Sequence, residues 1–170
     1  ALERNLASLE SAEHGIAFSS GCAATDSVIR LLRPGAHVIT CADLYGGTYR
    51  LFEPVLRDFG TDFEYVDATN VANVEAAWRN ETSMVYLETP TNPLMTLADI
   101  ESISDLARQR NARVVVDNTF MSPYFQRPLE LGAHLVLHST TKYINGHSDS
   151  IGGIVMTNTD ADAERLRFIA

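Results

Sequence analysis

The chain has 170 residues, 45% of them hydrophobic and 21% charged, with a mean hydropathy of -0.05. These are the values of an average globular domain, and they exclude collagen, coiled coil and disordered chains. The formal net charge is -9 at pH 7. Phosphate backbones and anionic lipid call for a surplus of Lys and Arg, so nucleic acid and membrane are excluded as partners. No apolar run reaches the roughly 18 residues of a membrane span, and the amphipathic, partly acidic opening does not read as a signal peptide.

At about 150 residues per domain, the length fits one domain with its own core. Apolar residues at Leu2, Leu6 and Leu9 predict a helix over 2–12. A short strand at 15–19 leads into a helix at 21–33 that Pro34 and Gly35 stop. The alternation continues with strand 36–41, helix 46–59 closed by Gly60, strand 62–67 and helix 71–79. Strand 83–88 then runs into a Pro-rich loop at 89–93, followed by helix 97–110 and strand 112–117. Strands at 135–138 and 151–156 and a helix from Asp160 complete the chain. Runs such as Val114, Val115 and Val116, with no polar alternation, belong to strands covered on both faces. The expectation is an α/β fold: one wide, mostly parallel sheet of about seven strands with helices on both faces.

In such a sheet a ligand sits beyond the carboxyl ends of the strands, and polar groups collect after them here. Ser20, Gly21 and Cys22 follow the first strand, and Tyr45 follows the second. Glu88 ends the fourth and leads to Asn92, Asp117 ends the fifth, and the sixth leads to Ser139, Thr141 and Lys142. A glycine at a strand-to-helix junction lets amide groups approach a phosphate, with Ser20 adding a hydroxyl; the plain alternative is an N-cap. Ser139 and Thr141 could donate to the same anion or be ordinary loop hydroxyls. Asp117, ending an apolar strand, must be paired or neutralised: a protonated ring nitrogen would serve, and so would a cap or an arginine. Tyr45 could stack on a flat ring and hold a proton. The Asn92 amide could reach a ring substituent or serve the turn.

Twelve of the 13 basic residues are Arg, and Lys142 is the only lysine. A lysine amine can form an imine with a carbonyl. Cys22 and Cys41 are too few for a disulfide scaffold and lack metal-ligand spacing, so both read as buried free thiols of a reducing, cytoplasmic compartment. A phosphate cradle, a stacking aromatic, a carboxylate and an imine-forming lysine together describe a pyridoxal 5'-phosphate site. A cofactor-free Schiff-base lyase would leave the cradle and Asp117 without a purpose. A non-catalytic module would show no visible imine band with added pyridoxal phosphate.

Residues 18–24 (FSSGCAA), 43–48 (DLYGGT), 88–93 (ETPTNP), 116–120 (VDNTF) and 139–149 (STTKYINGHSD) resemble the Cys/Met-metabolism pyridoxal-phosphate enzymes of the aspartate-aminotransferase fold, fold type I. The resemblance covers the whole chain, and residues 118–129 are most similar to the cystathionine γ-lyase branch. It implies that Lys142 carries the cofactor and later shuttles protons, and that Ser20, Gly21, Cys22, Ser139 and Thr141 bind the phosphate. Tyr45 would stack on the ring, Asp117 would pair with the ring nitrogen, Asn92 would support the ring hydroxyl, and Glu88 would lie near the cofactor. At Cys22 the family usually has Met or Leu, and at Gly47 methionine γ-lyases carry Cys.

The resemblance further implies a γ-elimination that converts L-cystathionine to cysteine, 2-oxobutanoate and ammonia. The alternative is γ-replacement by a cystathionine γ-synthase or an O-acetylhomoserine sulfhydrylase. Residues 1–170 are then expected to be the cofactor-binding large domain, inactive or weak alone. The family's N-terminal segment, with its cross-subunit Tyr and Arg, and its small domain, with the substrate-carboxylate Arg, fall outside it. A homotetramer, a dimer of dimers, is implied for the full-length protein.

Overall fold

The apolar runs without polar alternation lie at the centre of the sheet, where Met84 to Leu87 and Val114 to Val116 have no exposed surface. Only helices on both faces can hide both rows of such a strand. The computed structural model covers residues 1–170 and contains one sheet of seven strands. These are β1 (His14–Phe18), β2 (His37–Cys41), β3 (Asp62–Val66), β4 (Thr82–Glu88), β5 (Arg113–Asp117), β6 (Leu135–Ser139) and β7 (Gly153–Thr157). The helices are α1 (Leu2–Leu9), α2 (Gly21–Ile29), α3 (Gly46–Leu51), α4 (Val71–Ala76), α5 (Ile100–Gln109), α6 (Ser122–Phe125) and α7 (Asp160–Ile169). The strand order is β1-β7-β6-β5-β4-β2-β3. Only β7 points against the other six strands, so the expected mostly parallel sheet is present.

Alternate residues of the strands face opposite layers. Val136, Ile154 and Met156 pack with Leu6 and Ala7 of α1. Their neighbours Leu135, Leu137 and Val155 join the larger cluster, with Ala24 and Val28 of α2 and Ala163 and Leu166 of α7. No helix is long and apolar enough to cross a membrane.

Several boundaries differ from the expected ones. The helix expected over 46–59 becomes α3 followed by a π-helical turn, Phe52–Leu56. There Arg57 N–H donates to the carbonyl of Phe52, five residues back, at 2.9 Å. Pro54 is the cause: it has no N–H and its ring crowds the carbonyl four residues earlier, so the helix widens around it. Gly60 closes this segment at φ +90°, a backbone conformation that glycine adopts without strain. Helix α5 starts at Ile100 instead of 97 because the Asp99 side chain caps it, accepting the Ser102 N–H at 3.0 Å. Strand β7 starts two residues late, because Gly152 N–H is bonded to Thr141 Oγ1 at 3.1 Å and not to a neighbouring strand. Helix α6 was not anticipated.

Candidate active site

The carboxyl ends of β2, β4, β5 and β6 meet the N-terminus of α2 around a cavity of about 440 Å³. Ser20, Gly21, Cys22, Tyr45, Glu88, Asn92, Asp117, Ser139, Thr141 and Lys142 all line it, so every residue singled out in the sequence reaches one space. Thr25, Thr48, Thr119, Phe120 and Ile151 line it as well and were missed. Thr25 lies one helical turn beyond Gly21, so helical spacing would have placed it beside the α2 N-terminus. Thr119 stands two residues after an Asp, a spacing at which side chains bond locally.

At the α2 N-terminus Ser20 is the N-cap, its hydroxyl accepting Ala23 N–H at 3.0 Å; the plain reading of that residue is therefore satisfied. The first-turn amides of Gly21 and Cys22 have no partner within the chain. A Cβ at Gly21 would stand 2.8 Å from Ser139 Cβ, and one at Gly153 would overlap the Ser20 carbonyl. The glycines thus let α2, β6 and β7 converge, leaving free amides and the Ser139 hydroxyl at one spot, which suits an anion. Thr141 also lines the wall, but its hydroxyl is engaged with the backbone of Gly152, accepting at 3.1 Å and donating at 3.3 Å. Cys22 is exposed, contrary to the expectation of two buried thiols, because the first turn of α2 faces the cavity. Cys41 is buried, and desolvation pushes its thiol up to about 12.

Asp117 is held by Thr119, whose backbone N–H and hydroxyl both donate to Asp117 Oδ1, at 3.0 and 2.5 Å. The Thr119 hydroxyl also accepts the Ser139 N–H at 2.9 Å, tying β5 to β6 beneath the cavity. Desolvation raises the Asp117 carboxyl above the ordinary carboxylate range, against the Thr119 hydrogen bonds and the field of His138. A cation placed against Asp117 would relieve that penalty.

Glu88 is buried, and its Oε2 accepts the Tyr45 N–H at 2.9 Å. Burial first, then the charge of Asp117, push its carboxyl up to about 8. Tyr45 is 46% exposed, and its ring packs over Gly47, where any Cβ would run into the ring edge. Lys142 is solvent-exposed on the cavity wall, its backbone N–H donating to Ser139 O at 3.2 Å.

Fold and cavity define a class: a type I α/β fold whose cavity offers a ligand free helix-start amides, desolvated carboxyl groups and one lysine amine. The chain belongs to the Cys/Met metabolism PLP-dependent enzyme family, whose model matches residues 1–170. It is 49% identical to a probable cystathionine gamma-synthase of Herpetosiphon aurantiacus, over 99% of this chain and 53% of that protein. It is 47% identical to a cystathionine beta-lyase of Lactococcus lactis, over 99% of this chain and 44% of that protein. The crystal structure of cystathionine gamma-lyase from Lactobacillus plantarum, complexed with L-serine, superposes with a TM-score of 0.98 at 47% identity, covering 99% of this chain and 44% of that one. The chain thus spans about half the length of the curated relatives it matches. The family is pyridoxal-phosphate dependent, and the cradle, carboxylate and lysine fit that group.

Proposed function

We propose that this chain is the cofactor-binding large domain of a cytoplasmic carbon–sulfur lyase that eliminates the γ-substituent of L-cystathionine, giving cysteine, 2-oxobutanoate and ammonia. The observation that carries the reading is that the only lysine shares one cavity with Asp117 and the free amides of Gly21 and Cys22. When bound, pyridoxal phosphate supplies an aldehyde reactive toward amines and a cationic ring that withdraws electrons.

The residues of the chain divide the remaining work. The amides of Gly21 and Cys22 and the hydroxyls of Ser20 and Ser139 hold the phosphate, with Thr141 as wall. Asp117 would pair with the protonated ring nitrogen and keep it cationic. Asn92 would contact the ring hydroxyl, and Tyr45 would cover the ring face. Lys142 anchors the cofactor at rest. With substrate bound, the Lys142 amine would take the substrate's α-proton. After giving that proton up to solvent, the same amine would take one from the β-carbon, and Tyr45 would donate its hydroxyl proton to the departing γ-sulfur, so that cysteine leaves as a thiol. Water then releases the oxo acid and ammonia.

Residues 118–129, with their similarity to the γ-lyase branch, support elimination over its competitors. A second reading is γ-replacement, favoured by the 49% identity to the probable cystathionine gamma-synthase. Product analysis of the intact protein separates the two. Oxobutanoate and cysteine from cystathionine alone support elimination; cystathionine formed from an activated homoserine and cysteine, without oxobutanoate, overturns it. A homotetramer built as a dimer of dimers is part of the same proposal, checked by light scattering.

A further inference from the structure

Behind the sheet, on the face opposite the cavity, lies a polar cluster that the chemistry above does not use. Glu10, at the end of α1, has no exposed surface, and neither have His138 and Asn118. Glu10 Oε1 accepts from His138 Nε2 at 2.5 Å and from Asn118 Nδ2 at 2.8 Å. The cluster continues to the loops around the cavity. Asn118 Nδ2 also donates to Gln126 O at 2.8 Å, while Gln126 Nε2 donates to Asn118 Oδ1 at 2.9 Å and to Thr89 O at 3.0 Å. Backbone bonds from Asn118 N–H to Leu137 O, 2.9 Å, and from Ser122 N–H to Asn118 O, 3.0 Å, fix the same junction.

Three members of this cluster adjoin residues of the cavity wall. Asn118 stands between Asp117 and Thr119, His138 precedes Ser139, and Thr89 follows Glu88. Strand side chains alternate between faces, so in β6 His138 and the cavity residue Ser139 stand on opposite sides of the same backbone. A fully buried carboxylate is expensive to desolvate, and Glu10 Oε2 and His138 Nδ1 have no hydrogen-bond partner at all. Apolar residues of similar volume would fill this space at lower cost, so packing alone does not account for the cluster.

We propose that Glu10 and His138 are positioning residues of the cofactor site: from the far face of the sheet they hold the junction between β5 and α6 so that Asp117 presents its carboxylate to the cavity. This rests on the cofactor reading given above. Glu10 anchors Asn118, Asn118 anchors Gln126, Gln126 anchors the Thr89 carbonyl, and the three strand ends that carry Glu88, Asp117 and Ser139 are thereby tied to one another. Helix α1, remote from the cavity in sequence, becomes a support of the cofactor.

Glu10→Gln tests this in the intact protein, because it preserves volume and an acceptor for Asn118 but removes the charge that meets His138. With pyridoxal 5'-phosphate as the probe, the expected result is a folded protein whose cofactor dissociation constant rises roughly tenfold, the scale on which supporting residues act on a bound group. The visible absorption band shifts, and kcat falls while KM stays within about twofold. A folded Glu10→Gln protein with the wild-type dissociation constant and an unmoved band overturns the proposal. Should the variant not fold, nitrogen NMR of the wild-type protein decides: the His138 ring resonances are expected to move when pyridoxal phosphate is added, and unmoved resonances overturn the proposal. A wild-type protein that takes up no pyridoxal phosphate removes the functional reading and this inference together. A wild-type protein that takes it up, with Glu10→Gln indistinguishable from it, removes this inference alone.

Discussion

Glu88 and Asp117 are register partners at the carboxyl ends of β4 and β5, and both carboxyl groups reach the wall of the same cavity. Two carboxylates this close in a poorly solvated place cannot both ionise freely. The Tyr45 amide steadies charge on Glu88, while Thr119 does so for Asp117. Burial and the neighbouring carboxyl push Glu88 up to about 8, and desolvation raises Asp117 as well.

That relationship predicts a pH dependence of stability in the cofactor-free protein. The folded-state value of Glu88 is raised above its ordinary one, so the folded state binds the proton more tightly than the unfolded chain. The stability Glu88 contributes is complete below its ordinary value of 4.5 and is lost as pH rises through about 8. Glu88→Gln keeps the neutral shape and removes the titration. Urea midpoints should fall from about pH 6 to about pH 9 more steeply in the wild type than in Glu88→Gln, by at most about 1.4 kcal/mol per pH unit. Parallel curves would show that Glu88 is not the group responsible.

On the proposed function, Lys142→Ala in the intact protein should lower cystathionine turnover by roughly a thousandfold or more, since Lys142 is the only lysine among residues 1–170 and it lines the cavity. The variant should fold, because Lys142 is exposed and its backbone bonds to Ser139 and Gly146 need no side chain. The visible imine band, and its bleaching by borohydride, should vanish with it. Full lyase activity in Lys142→Ala would sink the assignment.

The fold was legible because its strands carry long apolar runs between helical repeats, and the positions that matter follow those strands directly. Ser20, Tyr45, Asp117 and Lys142 could be picked out for that reason. What stayed hidden depends on contacts distant in sequence. Glu10 meets His138 across 128 positions, and nothing in the spacing of either residue announces the other. The exposure of Cys22 follows from the convergence of α2, β6 and β7, which residue type does not report. The π-helical turn was readable in principle from Pro54, and the antiparallel sense of β7 was not, since a short apolar strand looks the same in either direction.

Gly153→Ala should be strongly destabilising although alanine is small and β-compatible. Its Cβ would overlap the Ser20 carbonyl and crowd the Gly21 amide, and backbone at a helix start cannot yield as a flexible side chain would. The expected cost is about 3 kcal/mol, the upper end for overpacking, measured by urea unfolding. Any surviving fold should also bind pyridoxal phosphate more weakly, because the displaced atoms are those of the anion cradle. Stability within about 0.5 kcal/mol of wild type, the range of an ordinary surface change, would contradict the close approach.

Thr119 separates the local support of Asp117 from mere packing. Its hydroxyl donates to Asp117 Oδ1 and accepts the Ser139 N–H, so a single oxygen joins the carboxylate to the strand that leads to the lysine loop. Thr119→Val keeps the shape and deletes that oxygen, leaving the Ser139 amide and the carboxylate each one partner short. Thr119→Ser retains both bonds. Valine should weaken pyridoxal phosphate binding roughly tenfold, on the scale of about 1–3 kcal/mol for an unsatisfied buried polar group, while serine stays within about threefold of wild type. Measured as cofactor dissociation constants of folded variants, equal values for valine and serine would show that the hydroxyl has no part in holding the carboxylate, and that the backbone N–H of Thr119 suffices.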